Sequence, residues 1–362
     1  MKRILLWGWY GFENLGDDLL LDTMLQHLQG EIAVPMNKSY KLQHVNEVPR
    51  SYKNLVMGAF RNDVLIIGPG GLFPFDNKTK VLLYYIISGI WKALGRRVVF
   101  FGIGISEQMS NFSAVLWRRM SQRADMFFPR SEKVLDRIGV DDTDLVHSMA
   151  DTVFASDLIK EGHSAESDRV VISIANLQPD NEKAFMDMTE KWIEVIRALV
   201  DKGFTVDLIA FTKGNDDRMI NTIISSYLLS SLIERGGVRP IYYKDAAAAI
   251  RNWKQYKFAI CMRFHSLVLS ILAGVPAVPI AYGHKTLSLA EMCGLRDYTL
   301  IWNTFQDEYY GELIDVSSEQ IINKVDKMSS DILDIRKMIL GQREKLVGSA
   351  SNAFQQLDDI LK

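Results

Sequence analysis

Phe258-Ala259-Ile260-Cys261-Met262-Arg263-Phe264-His265-Ser266-Leu267 decides how the chain is read. Apolar residues make a buried strand, a cation and an imidazole follow, and an apolar helix opens at Leu267. A strand handed to a helix across charged residues is one step of a parallel α/β sheet, and those residues fall in the crevice at the strand's carboxyl end. Arg263 offers a planar fork to a carboxylate or phosphate, and His265 titrates near neutrality, a pair suited to acid catalysis on an anion. The plainer alternative is that Arg263 pairs with a carboxylate of the protein, His265 bonds its neighbours and Ser266 caps the helix. Cys261 lies inside the apolar strand, where an inert buried thiol is expected.

The same alternation extends in both directions. Downstream, 276–281 is a further strand, and Tyr282-Gly283-His284-Lys285 after it puts Lys285, with His284 beside it, on the same rim. Upstream, strands are expected at 169–175, 204–211 and 239–243, with helices over 181–201 and 216–234. The first part of the chain repeats the pattern, with strands at 3–8, 63–67, 97–101 and 126–128 and helices over 17–29, 79–95, 110–124 and 131–138. Between them, 160–168 is polar, without an apolar period, and reads as a linker. The expected fold is α/β: two Rossmann-like domains with parallel sheets in a GT-B-like arrangement. Residues 1–162 form the amino-terminal, acceptor-side domain, and 168–362 the donor-side domain with terminal helices; a last helix, about 329–361, returns to brace the first domain.

Three glycine-rich stretches follow strands of the first half: Gly8-Trp9-Tyr10-Gly11-Phe12-Glu13-Asn14-Leu15-Gly16-Asp17-Asp18, Ile67-Gly68-Pro69-Gly70-Gly71-Leu72-Phe73 and Gly102-Ile103-Gly104-Ile105-Ser106. Each reads as a turn at a strand end, and together they would floor a cleft, with Gly11, Asn14, Asp17, Gly70 and Gly71 as candidate acceptor or cleft-lining residues. None is a G-x-G-x-x-G fingerprint and no Walker lysine follows, so nicotinamide and ATP gain no support. Asp17 and Asp18 suit sugar hydroxyls better than a bare phosphate; the plainer reading is that one of them caps the helix. Phe128-Pro129-Arg130-Ser131 ends another strand and aims Arg130 into the same cleft.

Lysine and arginine number 42 against 44 aspartate and glutamate, which leaves no basic field for nucleic acid. Two cysteines without a C-x-x-C pair and six scattered histidines suggest neither disulfides nor a metal site, and a reducing, cytoplasmic setting is expected. The apolar run 81–91 covers about half of the roughly 20 residues a membrane span needs and reads as a buried helix. Glu13, Asp17 and Asp18 come too early for a secretory segment.

Taken in order, Gly11-Phe12-Glu13-Asn14-Leu15-Gly16-Asp17, Gly68-Pro69-Gly70-Gly71, Gly102-Ile103-Gly104, Pro129-Arg130-Ser131, Ala150-Asp151-Thr152-Val153-Phe154, Arg263-Phe264-His265-Ser266, Ala273-Gly274-Val275-Pro276 and Lys285 resemble the polysaccharide pyruvyl transferase family. The resemblance implies a GT-B-like fold and transfer of a pyruvyl group from phosphoenolpyruvate to a sugar, as a ketal across two hydroxyls, with release of phosphate. By motif position, Arg130, Arg263 and Lys285 would hold the donor's carboxylate and phosphate, and His265 would be the acid. Phosphoenolpyruvate is then a co-substrate and no cofactor is implied. The acceptor would be a sugar or oligosaccharide of a polysaccharide or its precursor, free or lipid-linked, and a lipid-linked one would bring peripheral contact with the inner face of the membrane. Glu13 stands where the family commonly has glycine, Pro69 interrupts the usual glycine run and Phe264 replaces a more usual leucine. Two other classes fit the architecture: a GT-B glycosyltransferase using a nucleotide sugar, and a non-catalytic sugar-binding relative.

Overall fold

A computed structural model describes residues 2–158, 167–177, 180–302 and 315–362. Apart from Ser167 and Asp168, the expected linker at 160–168 lies outside the described residues. The chain divides into two compact units, Met1–Ser156 with Leu346–Lys362, and Asp157–Lys345. The second unit therefore ends at Lys345, where the sequence reading carried it to the last residue.

The first unit runs β1 (Arg3–Trp7), α1 (Leu15–His27), β2 (Glu31–Met36), β3 (Val45–Pro49), α2 (Tyr52–Met57), β4 (Val64–Ile67), β5 (Gly70–Phe73), α3 (Lys78–Ala93), β6 (Arg97–Ile105), α4 (Asn111–Arg123), β7 (Met126–Pro129) and α5 (Glu132–Ile138). Its sheet is parallel, in the order β3-β2-β1-β4-β6-β5, with β7 also paired to β6. Side chains alternate across the pleat. Leu5, Trp7, Leu65, Ile67 and Phe100 enter one core with Trp91 and Trp117, while Ile4, Leu6, Ile66, Val99 and Phe101 enter another with Leu21 and Met24. Central strands covered on both faces explain the unbroken apolar runs that announced them.

Two of the three glycine stretches are not turns. Gly102 and Gly104 lie inside β6, and Gly70–Phe73 is a strand that pairs with the far half of β6 after β4 has paired with its near half. The ladder breaks opposite Gly68-Pro69, and on the other edge of β6 the register shifts between Phe101 and Ile103. Gly102 has φ of +57° there, and a side chain on it would press on Thr152 and Pro69. The run at 81–91 is also only half-buried: α3 turns Val81, Tyr84, Ile87 and Trp91 inward and leaves Leu82 and Ile86 exposed. Among the described residues no helix is long and apolar enough to cross a membrane.

The second unit contains β8 (Arg169–Ser173), α6 (Glu182–Asp201), β9 (Thr205–Ile209), α7 (Asn215–Ile224), α8 (Ser230–Glu234), β10 (Val238–Ile241), α9 (Ala246–Arg251), β11 (Phe258–Cys261), α10 (Phe264–Ala273), β12 (Ala277–Ala281), α11 (His284–Met292), β13 (Leu300–Ile301), α12 (Ser318–Ser330) and the start of α13 (Ile332–Leu361). Its parallel sheet runs β10-β9-β8-β11-β12-β13. The helix expected over 216–234 is two helices, and the terminal segment breaks at Asp331 between α12 and α13.

From Leu346 onward α13 belongs to the first unit. Ala353, Phe354 and Leu357, at helical spacing, join its core; Phe354 stacks on His27 with ring centroids 4.0 Å apart and meets Phe101 at 4.9 Å. Polar contacts fix its register: Ser349 Oγ accepts from the Ala150 N–H at 3.1 Å, and His147 Nε2 lies 2.8 Å from Gln356 Oε1.

Candidate active site

In the second unit, Arg263 is the N-cap of α10 with extended backbone, so its side chain leaves at the carboxyl end of β11. The guanidinium closes on Asp216 with two nitrogens: Nε donates to Oδ2 at 3.0 Å and Nη2 to Oδ1. Asp216, in the first turn of α7, is fully buried, and its Oδ2 also accepts from the N–H groups of Phe211 and Thr212, each at 3.0 Å. A buried carboxylate is tolerated only with such a set of donors. The remaining nitrogen, Nη1, reaches Tyr282 Oη at 3.5 Å. Burial by itself lowers the Arg263 pKa, but Tyr282 and Asp216 outweigh it and raise the value, so the guanidinium stays charged. The protein carboxylate foreseen as the plainer reading of Arg263 is thus present. It aims the arginine while leaving 20% of its side chain open.

Ser266 does not cap α10. Its Oγ donates to the Arg263 carbonyl at 2.6 Å and lies 2.6 Å from Ser173 Oγ, which accepts from the Arg263 N–H at 3.3 Å. These bonds tie the start of α10 to the end of β8. Next along, half-buried His265 meets Phe264 edge-on, with ring centroids 5.2 Å apart. Lys285, second in α11 after His284, is exposed, and its Nζ sits 5.3 Å from the centre of the Phe264 ring. A cation over an aromatic face is held by the ring's quadrupole. His265 and Lys285 thus both meet the Phe264 ring, and Arg263 directly precedes it at the end of β11. Cys261 is fully buried, and burial pushes its thiol up to about 11, which removes it as a nucleophile near neutral pH.

In the first unit, Arg130 follows β7. Its Nε donates to the Gly102 carbonyl at 2.8 Å, its Nη1 lies 2.7 Å from Asp151 Oδ2, and 15% of the side chain is exposed. The cap of α1 is Asn14, whose Oδ1 accepts from the Gly16 N–H at 3.0 Å, and not Asp17 or Asp18. Asp17 faces β5: a Cβ on Gly70 would stand 3.6 Å from its Oδ1. Gly11 has φ of +78°, and a side chain there would overlap the Lys38 backbone at 2.6 Å, so this glycine lets the chain after β2 pack against the first loop. Gly71 is exposed, with open space where a Cβ would be. Among the described residues no three His, Cys, Asp or Glu side chains are grouped to hold a metal ion.

Sequence reasoning gave no role to Asp216 or Asp151, the carboxylates that orient the two arginines. For Asp216 a signal exists: Phe211-Thr212-Lys213-Gly214-Asn215-Asp216 is a strand end followed by an acidic first helical turn, on the same rim as Arg263.

The family model for polysaccharide pyruvyl transferase matches residues 14–284. The chain belongs to the polysaccharide pyruvyl transferase family. Among relatives of this family member, the amylovoran biosynthesis protein AmsJ of Erwinia amylovora is 23% identical over 275 residues, which cover 67% of the chain and 61% of AmsJ. The match thus spans less than two thirds of that relative's length. Solved structures of similar fold include a ugt transferase from Siraitia grosvenorii in complex with UDP, at TM-score 0.58 and 10% identity over 99% of this chain and 100% of that one. A putative UDP-N-acetylglucosamine 2-epimerase from Listeria monocytogenes aligns at TM-score 0.57 and 9% identity, over 97% and 94%. These likenesses establish the fold: two parallel-sheet α/β domains of the kind found in GT-B glycosyltransferases and epimerases.

Proposed function

We propose that this chain transfers a pyruvyl group from phosphoenolpyruvate to a sugar of a polysaccharide or its precursor, forming a pyruvate ketal and releasing phosphate. The observation that carries the reading is the group Arg263, His265 and Lys285 at the carboxyl ends of β11 and β12, in a chain whose family transfers pyruvyl groups. A fixed guanidinium and an exposed ammonium suit a donor bearing a carboxylate and a phosphate, the fork taking a planar group and the ammonium acting as a point charge. Arg130 joins the proposed donor ligands on its motif alone.

In this reading His265 gives its proton to the methylene carbon of phosphoenolpyruvate while one sugar hydroxyl attacks the adjacent carbon. The carbon–carbon double bond becomes a methyl group. The carbon–phosphate oxygen bond then breaks and a second hydroxyl closes the ketal; of the two hydroxyl protons, one returns to the imidazole and the other ends on the departing phosphate. Cations beside the departing phosphate offset charge as it builds, a type of stabilisation that often dominates catalysis.

Arg263→Lys tests the donor assignment. Lysine keeps the charge but loses both the fork and the two-point hold on Asp216, so the KM for phosphoenolpyruvate should rise roughly tenfold or more. Steady-state kinetics with varied donor check this, and an unchanged KM would make Arg263 a purely structural partner of Asp216.

A further inference from the structure

A second group of cations lies in the first unit, at the carboxyl ends of β1, β3 and β5. Arg50, directly after β3, stands 4.1 Å from the Trp7 ring centre and 5.1 Å from that of Trp9. Lys80, in the first turn of α3, stands 4.9 Å from the Phe73 ring and 5.9 Å from Trp9. Trp9 stacks on Phe12 with centroids 4.0 Å apart and planes 7° from parallel, yet remains 40% exposed.

Both cations are half-buried, and among the described residues neither makes an ion pair. Their hydrogen bonds go to neutral groups: Arg50 Nη1 donates to the Gly8 carbonyl, and Lys80 Nζ to the Leu72 carbonyl at 2.6 Å. Burial lowers the Lys80 pKa, and the nearby Arg50 charge lowers it further. Arg96 and Arg130, in the same unit, do have carboxylates. Holding two like charges within 6 Å of one indole costs free energy that neutral carbonyls repay only in part. An anion entering between them would remove the repulsion. An exposed indole beside such a charge is the usual complement of a sugar ring, whose apolar face packs on the aromatic surface.

We infer that Trp9, Arg50 and Lys80 form a subsite for an anionic glycoside, the ring against Trp9 and a phosphate or carboxylate between the two cations. The inference rests on the proposed function only in taking that glycoside to be the acceptor; the subsite is defined by its own chemistry. Either a glycosyl phosphate or a uronic acid supplies that chemistry.

Binding to the full chain separates these cases. Hexoses and N-acetylhexosamines are offered as methyl glycoside, glycosyl 1-phosphate and methyl glycuronide, with affinities read by calorimetry. At least one anionic series should bind roughly tenfold or more tightly than its methyl glycoside, as a charge-assisted hydrogen bond warrants. The series that gains identifies the source of the anion. Lys80→Gln should erase most of that preference and leave methyl glycoside affinity within about twofold, whereas Trp9→Ala should weaken charged and neutral ligands alike. Equal affinity across the three series, or a Lys80→Gln loss shared by the neutral glycosides, overturns the inference. Anion preference without consumption of phosphoenolpyruvate would instead remove the proposed reaction and leave the subsite standing.

Discussion

His265→Ala should lower kcat by roughly 10²–10⁴-fold, the range expected when a general acid is removed. Of the three side chains Arg263, His265 and Lys285, imidazole is the type most often used as a general acid. The loss should fall on kcat and leave the KM for phosphoenolpyruvate nearly unchanged, because donor binding is assigned to Arg263 and Lys285. The fold should survive: the start of α10 is held by Ser266 bonding to Ser173 and to the Arg263 carbonyl, none of which involves the imidazole. Stopped assays of phosphate release, with circular dichroism as the folding control, decide the matter. A wild-type rate removes His265 from the mechanism.

Asp216→Ala should cost about 3–5 kcal/mol of stability, the usual penalty for breaking a buried charge pair on one side. The carboxylate is fully buried and accepts from Arg263, Phe211 and Thr212, so the substitution leaves a guanidinium and two N–H groups without their acceptor at once. Arg263 cannot simply swing into bulk water, since only 20% of it is exposed. Urea unfolding should show the loss, and any protein that folds should bind phosphoenolpyruvate poorly because the arginine is no longer aimed. Asp216→Asn, which still offers an oxygen to the two N–H groups, should lie between. A loss below about 1 kcal/mol for the alanine variant would contradict the role given to this pair.

Much of this was legible in the sequence because buried parallel strands advertise themselves. Val64-Leu65-Ile66-Ile67 and Phe258-Ala259-Ile260-Cys261 are apolar throughout, as strands covered on both faces must be. The strands that escaped notice break that rule. β2 contains Pro35, which argues against a strand away from the edge, and β3, Val45-Asn46-Glu47-Val48-Pro49, is a polar edge with no buried residue. β5 reads as a turn in the sequence because glycine permits both conformations, and composition cannot tell a bulged ladder from a loop. Arg263 and His265 stood out because charge at a strand end is local information. Asp216 did not, because its partnership with Arg263 joins two strand ends far apart in sequence, and only the order of β9, β8 and β11 in the sheet brings them together.

The most direct measurement is to follow phosphoenolpyruvate labelled with ¹³C in its three carbons through reaction with diol-bearing sugars, free and lipid-linked. One phosphate should be released per pyruvyl group transferred, with the former methylene carbon appearing as the methyl group of a ketal on the sugar. Release of no phosphate with any acceptor, together with transfer of a sugar from a nucleotide donor, would contradict the proposed reaction.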